Sequence, residues 1–78
     1  MLKTVISDLD EGIEVIRFTS GSKLLAQTKL ARGNEMIDIR VWSKWNQDSQ
    51  WHPGRNGLFI RKDDLKASIA KLQAYLEA

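Results

Sequence analysis

Residues 35–45 read EMIDIRVWSKW and have the most regular strand pattern in the chain. Apolar and polar side chains alternate there with a period of two, which is typical of a β-strand that turns one face toward a core. The apolar face carries Ile37, Ile39 and Val41. The opposite face carries Asp38, Arg40, Trp42 and Lys44. The pattern therefore predicts a half-buried strand whose polar face presents an indole between two cations.

Three further segments have strand patterns, and short turn signals separate them. The strands are predicted at residues 12–19, 23–32 and 57–61. The turns are predicted at residues 20–22, at Gly33-Asn34 and at Pro53-Gly54. Since proline lacks the N–H that a paired strand needs, Pro53 is not expected inside a central strand.

From Asp63 onward the apolar spacing becomes helical. Asp63 and Asp64 suit an N-cap and the positive end of a helix dipole. One apolar stripe consists of Leu65, Ile69, Leu72 and Leu76. The sequence thus predicts an α+β domain over residues 12–78, with a four-stranded antiparallel sheet followed by one C-terminal amphipathic helix. Residues 1–11 are assigned to an N-terminal arm before it, and their first ten residues could be an extra strand, a helix or a loose arm.

Composition narrows the kinds of site that the chain can hold. Its 78 residues suffice for one small domain, which often gains stability from a disulfide, a metal or a partner subunit. There is no cysteine and only one histidine, His52, so we expect no disulfide, no metal site and no cofactor. No nucleophile arrangement accompanies His52, so an enzyme is not expected. A homodimer through the helical stripe (Leu65, Ile69, Leu72 and Leu76) is the predicted route to stability.

Positive charge is concentrated in the predicted sheet. The net charge is +2, but residues 17–62 hold nine basic and three acidic side chains. This distribution is expected of a surface that binds a polyanion, although a solvated face would have it too. No apolar run approaches the roughly 20 residues that cross a bilayer. We expect no membrane association and no signal peptide, and a location in the cytoplasm (nucleoid) of a bacterium or phage host, or in a eukaryotic nucleus.

The row of Arg40, Trp42 and Lys44 suits an unpaired strand of nucleic acid. Phosphates pair with the cations, while a base stacks on the indole. Trp42 could instead belong to the core. Trp45 has the opposite parity, which favours packing at the core or strand end. Trp51 lies beside the Pro53-Gly54 signal, where it could either mark a contact surface or cover the edge of the core.

The run Ile37-Asp38-Ile39-Arg40, then Trp42, then Pro53-Gly54-Arg55-Asn56-Gly57 and an amphipathic helix resembles the positive cofactor four family. Its members are transcriptional coactivators whose conserved domain binds single-stranded DNA. The likeness covers about residues 12–78. It implies a four-stranded sheet and a helix that pairs two subunits, with β-ribbons of both subunits holding unpaired DNA.

The likeness also implies which residues contact nucleic acid. Arg40, Arg55 and Gly57 match the family pattern, and Trp42 lies one place from the family's usual tryptophan. Ala31 stands where eukaryotic members carry a stacking phenylalanine, and three of their lysines are replaced, by Asn34, His52 and Asn56. We conjecture that four other residues compensate for the three lost charges and the lost aromatic ring, and they are Trp51, Lys44, Lys23 and Arg17. The expected nucleic-acid-binding residues are Lys29, Arg32, Arg40, Trp42, Lys44, His52, Arg55, Asn56 and Gly57.

The expected function is sequence-tolerant binding of single-stranded DNA by a β-ribbon homodimer. It would serve transcription regulation in a coactivator-like role, or replication and repair, with transcription or replication proteins as further partners. Two alternatives stay open. One is an RNA-binding protein, and the other is a protein-interaction module that kept the dimeric fold with weak or no DNA binding.

Overall fold

A computed structural model describes residues 6–46 and 49–78 as one antiparallel sheet followed by a single helix. The elements are β1 (Ile6–Asp8), β2 (Ile13–Thr19), β3 (Ser22–Ala31), β4 (Asn34–Ser43), β5 (His52–Arg61) and α1 (Lys62–Glu77). The α+β class and the C-terminal helix are confirmed. The sheet has five strands rather than the predicted four, because β1 forms within the segment assigned to an arm. Residues 1–5 of that arm lie outside the described residues.

Strand β3 is the centre of the sheet. It pairs with β4 from Ser22 to Ala31 on one edge, and with both β1 and β2 on its other edge. Ile6 lies opposite Ala31, whereas Ile13 lies opposite Ala26, so β1 and β2 act as one interrupted strand. The tight pairing with β4 gives each side chain of β3 a defined face.

The interruption between β1 and β2 is held by Asp10. The backbone N–H of Thr28 donates to Asp10 Oδ1 at 3.1 Å, and Gln27 Nε2 donates to the Asp10 carbonyl at 2.9 Å. The Thr28 bond is the main cause that lowers the pKa of Asp10 below its usual range. Gly12 follows with φ +84°, and a Cβ there would lie 2.6 Å from the carbonyl oxygen of Ala26. The chain can therefore re-enter the sheet only through a glycine at this point.

The hairpin between β3 and β4 turns one residue earlier than predicted. Ala31 pairs with Asn34, and the two residues between them, Arg32 and Gly33, have φ values of 52° and 78°. Two successive positive φ angles are typical of a type I′ turn, whose twist matches that of the flanking strands. Asn34, predicted as a turn residue, is the first residue of β4.

Strand β5 is longer than predicted and contains the Pro53-Gly54 pair that was assigned to a turn. It pairs only with β4 among the described strands, so Pro53 lies on an edge strand, where a missing N–H is tolerated. Gly57 lies opposite Arg40 and Pro53 opposite Trp42, which leaves residues 54–56 facing a single residue of β4. The PGRNG run is therefore a bulge.

Helix α1 begins at Lys62, with Arg61 at the N-cap and no side-chain cap hydrogen bond. The predicted N-cap, Asp63, lies with Asp64 in the first turn, where both carboxylates face the positive end of the helix dipole. The 16 residues of α1 are too few to cross a membrane, and the described residues contain no other helix.

The two faces of the sheet differ in composition. We call one the Arg40 face, made of Lys23, Leu25, Gln27, Lys29, Ala31, Met36, Asp38, Arg40, Trp42, Phe59 and Arg61. We call the other the Ile39 face, made of Leu24, Ala26, Ile37, Ile39, Val41, Leu58 and Ile60. The described residues that are buried all lie on the Arg40 face, and they are Leu25, Gln27, Ala31 and Asp38.

Burial in the protomer is low for its size. The accessible surface is 6495 Å², against about 4,800 Å² for a folded monomer of this mass. Large apolar side chains are half or more exposed on the helix, including Ile69 at 51%, Leu72 at 54% and Leu76 at 79%. An isolated protomer thus leaves much apolar surface in water.

Gly57 and Gly33 provide a matched test of the register. A Cβ at Gly57 would lie 2.6 Å from Arg40 Cβ and 2.8 Å from the Ile39 carbonyl oxygen, whereas one at Gly33 meets nothing within 4 Å. We expect Gly57→Ala to lower the free energy of unfolding by about 3 kcal/mol through steric overlap. Gly33→Ala should lower it by about 1 kcal/mol through its positive φ alone. Urea unfolding at equal protein concentration measures both, and a larger loss for Gly33→Ala would contradict this register.

Candidate nucleic-acid interface

Three cations surround the indole of Trp51. The Lys23 ammonium lies 4.2 Å from the ring centroid, the Lys44 ammonium 4.8 Å and the Arg17 guanidinium carbon 5.1 Å. All three distances fall within the range of cation–π attraction. We call these four residues the Trp51 cluster.

Different elements bring the cluster together. Arg17 of β2 and Lys23 of β3 are cross-strand partners, so their side chains share a face. Lys44 follows β4, and its backbone N–H donates to the carbonyl of Gly21 at 3.0 Å. A Cβ at Gly21 would lie 2.8 Å from the Lys44 carbonyl oxygen, so a glycine is needed for this approach. Trp51 comes just before β5 and completes the group.

The Trp51 cluster has an excess of positive charge. Arg17 Nε donates to Glu14 Oε1 at 3.0 Å, and this hydrogen bond is the main cause that lowers the pKa of Glu14. Glu14 therefore stays ionised at neutral pH and offsets one of the three cations. Because all three cations lie beside one ring, they are within about a Debye length of each other, roughly 8–10 Å. An anion bound among them would relieve their mutual repulsion.

The geometry gives Trp51 a different role from an open stacking platform. Its ring is half-buried and already has cations around it. Both alternatives for Trp51, a contact surface and a cover for the edge of the core, stay predictions. The indole gathers three cations that the chain separates, which makes the cluster suited to hold a phosphate.

The middle of the Arg40 face is held by a buried carboxylate. Asp38 is 5% exposed, and its Oδ1 accepts a hydrogen bond from Arg40 Nε while its Oδ2 lies 3.2 Å from Lys29 Nζ. Arg40 Nη1 also donates to the carbonyl of Gly54 at 3.0 Å. Lys29 is 3.7 Å from Asp8 Oδ1 as well. Lys29 and Arg40, both expected to contact nucleic acid, thus have carboxylate partners within the fold.

The other expected contact residues are spread over the sheet. Trp42 is half-buried on the Arg40 face, opposite Lys23 and Pro53. Arg32 lies at the tip of the β3–β4 hairpin, about 30 Å along β3 from Lys23 at roughly 3.3 Å per residue. Three exposed residues lie on the edge strand, and they are His52, Arg55 and Asn56. Gly57 is where the β5 backbone passes beneath Arg40.

Two aromatic residues differ from expectation. Trp45 was expected to pack at the core or strand end, but it is 93% exposed. Phe59 is not among the expected contact residues, and it alternates with Leu58 and Ile60 along β5. The pairing of Phe59 with Asp38 places it on the Arg40 face, where it is 39% exposed.

Within the described part of the chain, no three histidine, cysteine, aspartate or glutamate side chains form a group that could hold a metal ion. No family model, no curated protein and no solved structure matches the chain. The likeness to the positive cofactor four family therefore stays a prediction from the residues.

The Asp38 network can be tested by removing single charges. Asp38→Asn should lower the free energy of unfolding by roughly 2–4 kcal/mol, because it leaves Arg40 without a carboxylate and Lys29 with only its longer pair to Asp8. Asp8→Asn is the control, since the Asp8 side chain is 62% exposed and its ion pair is longer. Its effect should stay within about 0.5 kcal/mol. Equal losses of stability in urea unfolding would show that Asp38 does not hold the sheet.

Proposed function

We propose that this protein binds single-stranded nucleic acid, DNA in the first place, along its Arg40 face. The observation that carries the proposal is the Trp51 cluster, in which three cations from separate elements converge on one indole. Two of these cations, Lys23 and Lys44, have no acidic group within ion-pair distance among the described residues. The ammonium groups of Lys23 and Lys44 are therefore the groups proposed to pair with a phosphate of the ligand.

Binding combines phosphate pairing with stacking. Phosphates that pair with Lys23 and Lys44 release counterions, which makes the affinity salt-dependent. Bases stack on aromatic side chains that reach the surface, and Trp42 and Trp45 are the candidates near the cluster. Since every base offers a flat face for stacking, such binding tolerates many sequences.

The residue pattern supports DNA as the ligand and transcription as the process. The run from Ile37 to Arg40 and the PGRNG run resemble the positive cofactor four family, whose domain binds unpaired DNA. A coactivator-like role in transcription regulation, or a role in replication or repair, follows from that likeness. RNA is the nearest competitor, since stacking and phosphate pairing do not read the 2′-hydroxyl.

We further propose that two copies form a homodimer through α1. The expected interface residues Ile69, Leu72 and Leu76 are all at least half exposed in the protomer, and Leu65 is half-buried. Apolar exposure continues on the Ile39 face at Val41 and Leu58. Burial of both surfaces against a second copy would supply the core that the protomer lacks.

A protein-interaction module is the second candidate. Ala31, Asn34, His52 and Asn56 replace an aromatic and three lysines expected from the family pattern. The exposed apolar side chains would suit a protein partner. This candidate predicts an intact dimer that binds no oligonucleotide at low salt.

Removal of single charges tests the proposed phosphate contacts. Titration with a mixed-sequence single strand of about 20 nucleotides should quench tryptophan fluorescence, and the matching duplex should bind more weakly. Lys23→Gln and Lys44→Gln should each weaken binding and reduce the slope of log affinity against log salt by about 0.7 for each lost contact.

Lys66→Gln and Lys71→Gln on the helix are the matched controls and should leave the slope unchanged. Equal slopes in all four variants would exclude the Trp51 cluster as the phosphate contact. A parallel competition with RNA of the same sequence decides between the two nucleic acids.

The dimer is tested by placing a charge on either side of the helix. Leu72→Asp should shift sedimentation from a dimer to a monomer, because a carboxylate would be buried in the proposed interface. Ala74→Asp puts the same side chain on the opposite side of α1 and should leave the dimer intact. A dimer that survives Leu72→Asp would place the contact elsewhere.

A further inference from the structure

The Arg40 face continues past Asp38 into an apolar pocket at the end of the sheet far from the Trp51 cluster. Ile6, Ala31, Met36 and Phe59 form its apolar walls, and Arg32 and Arg61 also line it. Among the described residues that line this pocket, none is acidic. The pocket thus combines an apolar interior with a positive rim.

Phe59 lies between this pocket and the rest of the Arg40 face. Its ring also borders the neighbouring depression, together with Lys29, Arg40 and Pro53. Phe59 is 39% exposed, so part of its ring still reaches the surface among charged neighbours. Ala31 beside it is small, so the surface next to the ring is open to a flat ligand.

The strand pairing places a cation one pleat from this ring. Phe59 and Arg61 alternate along β5 and pair with Asp38 and Met36, so both point to the Arg40 face. Two residues along a strand span about 7 Å. An aromatic ring with a cation at this spacing is the arrangement that holds a base by its face and the adjacent phosphate by its charge.

We propose that Phe59 is a second base-stacking position, and that the pocket between Ala31, Met36 and Phe59 takes one nucleobase of a bound single strand. Arg61 pairs with the phosphate beside that base. This inference rests on the proposed function. The row that contains Phe59 lies four residues along β3 from the row that contains Lys23 and Trp42, about 13 Å. One strand bound at the Trp51 cluster therefore reaches the pocket by following the face.

The test separates stacking from phosphate pairing by changing the ligand as well as the protein. The two ligands are a mixed-sequence DNA strand of about 20 nucleotides and a strand of the same length with abasic sites throughout. Phe59→Leu removes the aromatic ring and keeps an apolar side chain, with Phe59→Met as a second ring-free variant. Phe59→Tyr keeps the ring. Circular dichroism and sedimentation establish that each variant has the fold and assembly of the parent.

Phe59→Leu and Phe59→Met should weaken binding of the normal strand by about 5- to 150-fold, which is the range for loss of one stacked base. Neither should change binding of the abasic strand, and Phe59→Tyr should bind both strands like the parent. Unchanged affinity of both ring-free variants for the normal strand would overturn the inference alone. An equal loss of affinity for both ligands would also overturn it. So would a changed sedimentation coefficient of a variant without DNA, because that result would assign Phe59 to a contact between copies.

Failure of the parent protein to bind either strand would instead overturn the proposed function and this inference with it. A parent that binds, and whose binding falls with Lys23→Gln but not with Phe59→Leu, would keep the Trp51 cluster and exclude the pocket.

Discussion

The buried carboxylate of Asp38 is the interaction on which the sheet depends. It pairs with Arg40 on its own strand and with Lys29 on β3, and Arg40 reaches on to the Gly54 carbonyl in β5. Through Lys29 and Asp8 the same network extends to β1. A slip of one residue in β4 would turn Asp38 and Arg40 together to the Ile39 face, away from Lys29 on β3 and from the Gly54 carbonyl in β5. The network therefore selects one register in a protomer whose apolar core is too small to do so alone.

This constraint also divides the Arg40 face into parts with different chemistry. In the middle, Lys29 and Arg40 have carboxylate partners, so their charge is largely compensated. At one end, Lys23 and Lys44 of the Trp51 cluster have no acidic group within ion-pair distance among the described residues. At the other end, the ring of Phe59 borders an apolar pocket beside Arg61. Ala31, which lacks the aromatic ring expected from the family pattern, lines that same pocket.

The local sequence predicted those strands and helices in which the spacing of apolar side chains is regular over many residues. The alternation around Ile37, Ile39 and Val41 gave β4 and its two faces, and the spacing of Leu65 and Ile69 gave the helix. Strand β1 was one of three open alternatives for the first ten residues, because three residues are too few to show a period. The sequence did not predict that β5 includes Pro53, because local sequence does not distinguish an edge strand, where proline is tolerated, from a central one. The turn was misplaced by one residue because Arg32 adopts a positive φ that its side chain rarely favours.

The candidate site was predictable only where one strand carries it. Arg40 and Trp42 follow from parity along β4, whereas the Trp51 cluster joins residues from four separate parts of the chain. Arg17 and Lys23 meet only because β2 and β3 pair with a register shift that no local signal shows. Phe59 lies on the opposite face of β5 from Leu58 and Ile60, which the period of two along this strand predicts. Trp45 was misjudged because strand parity does not extend past the end of β4 at Ser43.

Because the protomer buries little apolar surface, its stability and its proposed binding activity would both depend on the proposed dimer. In a homodimer through α1, two Arg40 faces belong to one particle, and a strand held on the first face has a high effective concentration for the second. A ligand that binds only the folded dimer also stabilises it by mass action. In such a dimer the exposed helix stripe and the positive ends of the sheet would act on one equilibrium, because assembly would supply the missing core and binding would favour assembly.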